Sequence, residues 1–330
     1  MLLSAPLSWL LPWKHGARSA VTVGWIFLAI SILAGSTFNG FAKVLSGSLS
    51  PFSLLFLSEI LTGFFVLFSF GLLPTLRAIV NLPSKTFVLL TGIGVLSGVA
   101  GPFLWFLGLE HTTAVNATLF GKGEMIFLIM LAIWMLKERW TSAHAAAICT
   151  IVLGFLMVIL RGFQDGIDLQ TGDVMILLAA LSYASGSVCF RKFLGHIEPH
   201  IALFFRSSVA IVTFLTVSPF LRNNLGSELA AFPIILIPTI IGFSFVSRFL
   251  NSFCFYQAIE RLPVATISIV GALDVVGGTV FAHVYVGEPV YWYHALGGGL
   301  ILLGTVLLHV LGLHANERHG ERHLKQRLAH

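Results

Sequence analysis

The stretch VTVGWIFLAISILAGSTFNGFAKV, residues 21–44, carries one charge, Lys43, in a run longer than the ~20 residues a helix needs to cross hydrocarbon. Working outward, residues 52–73 and 296–313 repeat that pattern. Of the 330 residues 57% are apolar and only 10% charged, and the mean hydropathy is +0.93. An ordinary globular chain carries about 25% charge, so water cannot be the main solvent. A β-barrel would alternate apolar and polar residues over strands of about ten, and no such period of two occurs. Helices remain as the way to satisfy the backbone in lipid. The fold class read from the chain is therefore all-α integral membrane, with spans near 21–44, 52–73, 87–108, 113–136, 141–160, 173–194, 200–221, 233–255, 263–286 and 290–313.

Short connections leave no room for an extramembrane domain, so the net charge of +5 bears on orientation and not on nucleic acid. With the amino terminus in the cytoplasm, Lys14, Arg18, Arg77, Lys85, Lys137, Arg139, Arg191, Lys192, Arg261 and the tail cations Arg318, Arg322, Lys325 and Arg327 fall on that side. Only Arg161 and Arg222 fall on the other. The expectation is that both termini are cytoplasmic. Residues 1–20, with Trp9 and Trp13 ahead of the first cations, read as an interfacial segment and not a signal peptide, which places its charge first. The three cysteines, Cys149, Cys189 and Cys254, lie far apart without metal-ligand spacing and read as packing residues.

The chain repeats itself. Leu109-Glu110 matches Ile259-Glu260, Glu124 matches Asp274, Glu138 matches Glu288 and Gly154 matches Gly304, each 150 positions apart. Phe41-Ala42-Lys43 matches Phe190-Arg191-Lys192 at 149, and Pro51 matches Pro199 at 148. Each half holds five spans, an odd number, so the second half must enter the membrane from the opposite side: the repeat is inverted. The expected organisation is residues 1–20, a first repeat over 21–161, a second over 172–313, and a basic cytoplasmic tail over 314–330.

These same residues resemble the ten-helix EamA-type branch of the drug/metabolite transporter superfamily. The resemblance rests on Lys43, on Leu109 to Ala114, on the Lys137-Glu138-Arg139 turn and Gly154, and in the second half on Lys192, Ile259 to Ala265, Gly287-Glu288 and Gly304. It implies an inner-membrane carrier of small metabolites that works by alternating access around a cavity between the halves. One departure stands out: where the family often has proline in the fourth and ninth helices, this chain has Met125 and Val275. Gly121, Gly123, Gly277 and Gly278 could supply the missing irregularity or simply close packing.

Glu59, Lys122, Glu124, Arg206, Arg248 and Asp274 fall inside spans. At about 2.5–3.5 kcal/mol per charge near mid-membrane, six unpaired ones would cost on the order of 15–20 kcal/mol, so they must face one another or water. Glu124 and Asp274 occupy equivalent positions and are expected to line the pathway, where either could carry a proton; Glu59 is a further candidate for coupling. A structural ion pair with Lys122, Arg248 or Arg206 is the alternative. Lys122 and Glu124, two apart on a helix, do not pair directly. Arg248, with Asn251 one turn away, is the candidate for an anionic moiety of substrate, its alternative being a structural partnership with Asp274. Arg206 can snorkel to the surface, and a Glu59 to Arg206 bridge is open. Asn39, Asn116, Gln257, Trp105 and Tyr183 are polar or aromatic candidates for the cavity wall or for interhelical bonds. Three acids against three bases suit a neutral or zwitterionic solute.

The GxxxG from Gly94 to Gly98 reads as helix packing within one chain or oligomerisation, leaving monomer and homodimer open. The Asn116 sequon lies in a span, and the histidines of the tail suggest solvated chain near anionic lipid before a metal site. No metal, cofactor or nucleic-acid signature is present, and no nucleotide-binding motif. The main reading is a secondary transporter, an exporter of an amino-acid-like or other small polar metabolite. The alternatives are a flippase of a lipid or lipid-linked head group, and a membrane-embedded enzyme, which the absence of HExxH or GxSxG disfavours.

Overall fold

Hydroxyl side chains decide where several helices begin. Ser50, followed by Pro51, accepts a bond from Ser53 N at 3.5 Å, and Thr113 accepts one from Asn116 N at 3.0 Å. Thr141 accepts from His144 N at 3.4 Å, while the His144 ring accepts from Thr141 N at 3.3 Å. His294, 150 positions on, accepts in the same way from Tyr291 N at 3.2 Å. A histidine in the first turn thus satisfies an orphan backbone donor in both halves.

The computed structural model describes residues 17–137, 140–163, 168–194, 197, 199–220, 225–259, 261–262, 267 and 270–308, and these are all helix or connection, without a strand among them. Seven helices among the described residues are long and apolar enough to cross a bilayer: α1 (Val21–Ser46), α2 (Pro51–Phe70), α3 (Ser84–Glu110), α4 (Ala114–Met135), α6 (Thr171–Leu194), α7 (His200–Val217) and α8 (Ile234–Ala258). Three shorter apolar helices, α5 (His144–Ile159), α9 (Asp274–Val286) and α10 (Trp292–Leu308), stand in the remaining expected places. The residues before 17, Glu138, Arg139, Glu260, residues 263–266 and the tail 314–330 lie outside the described residues.

The surface is apolar: Phe68 is 81% exposed, Ile235 83% and Trp134 76%, which no water-soluble fold would tolerate together. Trp140, Tyr291 and Trp292 stand exposed where α5 and α10 begin, as aromatic residues do at a lipid–water boundary. Helix neighbours obey a two-fold exchange. Helix α1 packs on α8 and α9 as α6 packs on α3 and α4, while α2 meets α7 across the axis. The architecture is an all-α membrane fold of two inverted five-helix repeats, with Lys43 and Lys192 at opposite faces.

The duplication extends to irregular backbone. Helix α3 widens into a π-helical stretch at Gly94–Ala100, and α8 does so at Phe243–Leu250, with starts 149 positions apart. Lys137 closes α4 in the left-handed region (φ 57°), and Gly287, 150 positions on, closes α9 there (φ 81°). Helices α5 and α10 touch through small residues in a reciprocal manner. A Cβ on Gly154 would lie 2.7 Å from Gly297 O, and one on Gly304 would lie 2.9 Å from Ala147 O. Gly154→Val is therefore expected to wedge the two helices apart and lower stability by about 2 kcal/mol or more, read as a lower midpoint of thermal unfolding in detergent. A variant that melts with the parent would show that this seam does not hold the helices.

Candidate functional site

Helix α4 does not run straight through the bilayer. At its middle Lys122 N, Glu124 N and Met125 N bond three residues back, to Leu119, Gly121 and Lys122 carbonyls at 3.1, 3.1 and 3.0 Å. Helix α9 repeats this just before its regular part, with Leu273 N on Val270 O at 3.0 Å and Val275 N on Ala272 O at 3.2 Å. The helices break where the family often carries proline, though Met125 and Val275 stand there instead. Glycines serve packing: a Cβ on Gly123 would lie 2.6 Å from Leu177, and one on Gly278 2.8 Å from Thr118. Each break points a charged residue inward. On α1 a further interruption at Thr37, whose hydroxyl donates to Ala34 O at 2.7 Å, precedes Asn39.

Between the repeats these segments enclose a cavity of about 790 Å³, within the ~300–1,000 Å³ range of small-molecule sites. Lys122, Glu124, Arg206, Arg248, Asn251 and Asp274 all reach its wall, with Asn39, Trp105 and Tyr183. It extends toward the Lys192 face, reaching Leu90, Phe190 and Ala202 near the helix ends there. Toward the Lys43 face Phe38, Phe106 and Phe243 close it, Phe38 lying 5.1 Å from Phe243 and 6.3 Å from Phe106 between ring centres.

Two ion pairs of contrasting character hold four of the charges. Lys122 reaches Asp274 across the repeat interface, with Nζ 2.7 Å from Oδ1 and 2.8 Å from Oδ2. Its side chains are 25% and 34% exposed, so this pair is wet. Arg248 pairs with Glu59, at 5% and 0% exposure, and this pair is dry. Arg248 Nη1 also donates to Ser58 Oγ at 2.9 Å, and Ser207 Oγ donates to Glu59 Oε2 at 2.6 Å. The partner of Arg248 is thus Glu59, not Asp274, and Glu59 bridges to Arg248, not to Arg206. Two charges are left over. Among the described residues neither Glu124 nor Arg206 makes an ion pair or side-chain hydrogen bond, and Arg206 Nε is buried without a partner.

The other candidates divide. Trp105 Nε1 donates to Asn39 Oδ1 at 2.9 Å, and Asn39 Nδ2 donates to Thr118 Oγ1 at 2.9 Å, so both are held in place beside the cavity. Trp105 and Tyr183 meet edge to face at 6.0 Å. Asn251 accepts from Ser31 Oγ at 2.8 Å. Asn116 is buried outside the cavity wall, near Asp173, and Glu59 and Gln257 also lie behind the wall. The residues that carry the family resemblance at the Lys43 face do other work. Glu288 accepts from Ala114 N at 2.8 Å and Val115 N at 2.9 Å, capping α4 from the opposite repeat, where the helix dipole favours a carboxylate. Lys43 donates to the carbonyls of Leu109 and Thr112, binding the end of α3. Lys192 donates to Met135 O at 3.0 Å.

The model of the EamA-like transporter family matches residues 3–160 and again residues 170–310. The chain belongs to the EamA-like transporter family. This EamA protein is 25% identical over 299 residues to an uncharacterized transporter of Methanothermobacter thermautotrophicus, with 85% of each chain covered. It is 25% identical over 296 residues to the uncharacterized transporter YyaM of Bacillus subtilis, covering 85% of this chain and 91% of that one. A probable amino-acid metabolite efflux pump of Salmonella typhimurium is 23% identical over 199 residues, covering 58% of this chain and 66% of its own. A crystal structure at 20% identity superposes with a TM-score of 0.57 over 89% of this chain and 97% of its own, a likeness of fold.

Proposed function

We propose that this EamA protein is a secondary exporter, carrying a small polar metabolite such as an amino acid across the bacterial inner membrane by alternating access, driven by protons. The observation that carries the reading is the cavity of about 790 Å³ at the repeat interface, walled by charges of both signs and closed toward one face. Such a chamber, with aromatic rings packed together on the side of the Lys43 face, fits one state of an alternating-access cycle. With the lysine and arginine asymmetry of the sequence read by the positive-inside rule, the open Lys192 face is cytoplasmic. The name of the Salmonella relative supports an amino acid as cargo. A role in transport is supported by the family and by the names of the relatives.

A second reading draws on a side cleft of about 280 Å³ between α1, α8 and α9, lined by Leu28, Ile32 and Phe255, which shares Asn251 and Asp274 with the main cavity. A lipid or lipid-linked head group could extend into it. The deciding experiment is counterflow in proteoliposomes with labelled amino acids, organic anions and nucleosides at equal pH. Exchange of an amino acid is the expected result. Failure of every solute, with phospholipid bound to the purified protein, would replace the exporter with the flippase.

A further inference from the structure

The two-fold relation between the halves predicts where charges should recur, and the dry ion pair does not recur. At the offset of 148 that relates Pro51 to Pro199, Glu59 corresponds to Ser207. At the offset of 149 that relates the two π-helical stretches, Arg248 corresponds to Val99. The dry pair between α2 and α8 therefore has no charged twin between α7 and α3. Arg206, next to Ser207, is the cation at that vacant place. Its stem crosses α3 at Gly98, where an added Cβ would collide with Arg206 Cγ and lie 3.1 Å from Arg206 O. Glycine in the widened turn gives the side chain its route into the cavity.

An arginine so placed is not explained by packing alone. A guanidinium in the interior without a counter-ion costs stability, and natural chains keep such groups where a ligand supplies the missing charge. Tyr183 and Tyr256 lie within electrostatic reach of Arg206, as does Arg248, whose charge Glu59 answers in their ion pair, so that the guanidinium of Arg206 is left without a counter-charge. Among the described residues of the wall, Glu124 is a negative charge without an ion-pair partner. An apolar part of the remaining wall is formed by Phe190, Leu203, Phe255 and Ile267, while Ser97, Ser187 and Ser252 add hydroxyls elsewhere.

We propose that Arg206 holds the carboxylate of the transported solute, and that the solute is a zwitterionic amino acid with an apolar side chain. This rests on the reading of the cavity as the solute site. The planar fork of arginine grips a carboxylate through two parallel bonds, which a lysine cannot reproduce. Glu124 balances the solute's ammonium, and the apolar wall takes its side chain.

The test is calorimetric binding to the purified protein in detergent with four probes that share one isobutyl group: L-leucine, L-leucine methyl ester, 3-methylbutylamine and 4-methylpentanoate. The parent is expected to bind leucine about ten- to hundredfold more tightly than the ester or the amine, the factor that a charged hydrogen-bonded pair supplies. In Arg206→Gln the leucine affinity falls by that factor and the preference for acid over ester vanishes. Arg206→Lys keeps part of the preference, and Gly98→Ala, which displaces the stem, weakens it. Arg206→Gln should also melt at the parent's temperature or above, because it removes an unpaired interior cation; a purely structural arginine would lower it. The proposal is overturned if Arg206→Gln keeps the preference, or if the parent binds acid and ester alike, or binds none of the four. Binding without counterflow would remove the carrier reading and leave Arg206 in its role. Counterflow with an unaltered preference in Arg206→Gln would do the reverse.

Discussion

Glu59→Gln is expected to destabilise the protein by about 3–5 kcal/mol, the usual cost of removing one partner from a buried ion pair. The carboxylate is fully buried and its arginine nearly so, at 0% and 5% exposure, so no water compensates the Arg248 guanidinium that remains. Ser58 and Ser207 satisfy other atoms of the pair and cannot replace its charge. Because the pair ties α2 to α8, its loss should loosen the two repeats against each other. The double variant Glu59→Met, Arg248→Met removes both charges and should recover most of the loss, since buried pairs often exchange for apolar side chains at little cost. Reversible unfolding of the single and double variants in mixed micelles measures both terms. A Glu59→Gln protein as stable as the parent would show that the pair is not dry.

Glu124→Gln is expected to abolish proton-driven accumulation, while exchange at equal pH is weakened, by loss of the charge that faces the solute's ammonium, but not abolished. A carrier that moves one proton per solute can sustain about a tenfold solute gradient for each unit of pH difference, from 1.36 kcal/mol per unit. In the glutamine variant that ratio should fall to about one. Glu124 is the candidate because it faces the cavity without an ion-pair partner, whereas its counterpart Asp274 is occupied by Lys122. The groups that act on it are Lys122 on its own helix and Asp274 on α9. Asp274→Asn instead frees the Lys122 ammonium, and should impair exchange itself. Accumulation that survives in Glu124→Gln would move the proton to another group.

The inverted duplication was legible because it leaves its mark in one dimension. Residues 150 apart can be matched without knowing any contact, and the same offset reappears in the helix breaks at Lys122 and Ala272, the caps of His144 and His294, and the left-handed closures at Lys137 and Gly287. The presence of charges inside the spans was equally plain, since lipid gives each a cost. Their pairing was not. Which acid meets which base depends on helix rotation and crossing, so Glu59 could not be assigned to Arg248 before Arg206, although both lie on facing helices. The break in α4 was only half legible for a related reason: without proline no single residue announces it, and Gly121 and Gly123 could be read either as its source or as close packing. Asn116 looked like a wall residue because its helix lines the cavity, yet a side chain on the far face of that helix is buried behind it.

Water sets how firmly two opposite charges hold one another. A pair with open access to solvent contributes about 1 kcal/mol or less, comparable with thermal agitation. Lys122 and Asp274 can consequently part and rejoin as the contents of the chamber change, while dissolved salt weakens their mutual attraction within a screening distance of about 8 Å. The dehydrated pair of Arg248 and Glu59 feels neither influence. The protein thus keeps one anchored and one labile ion pair, and the labile one is the pair free to rearrange.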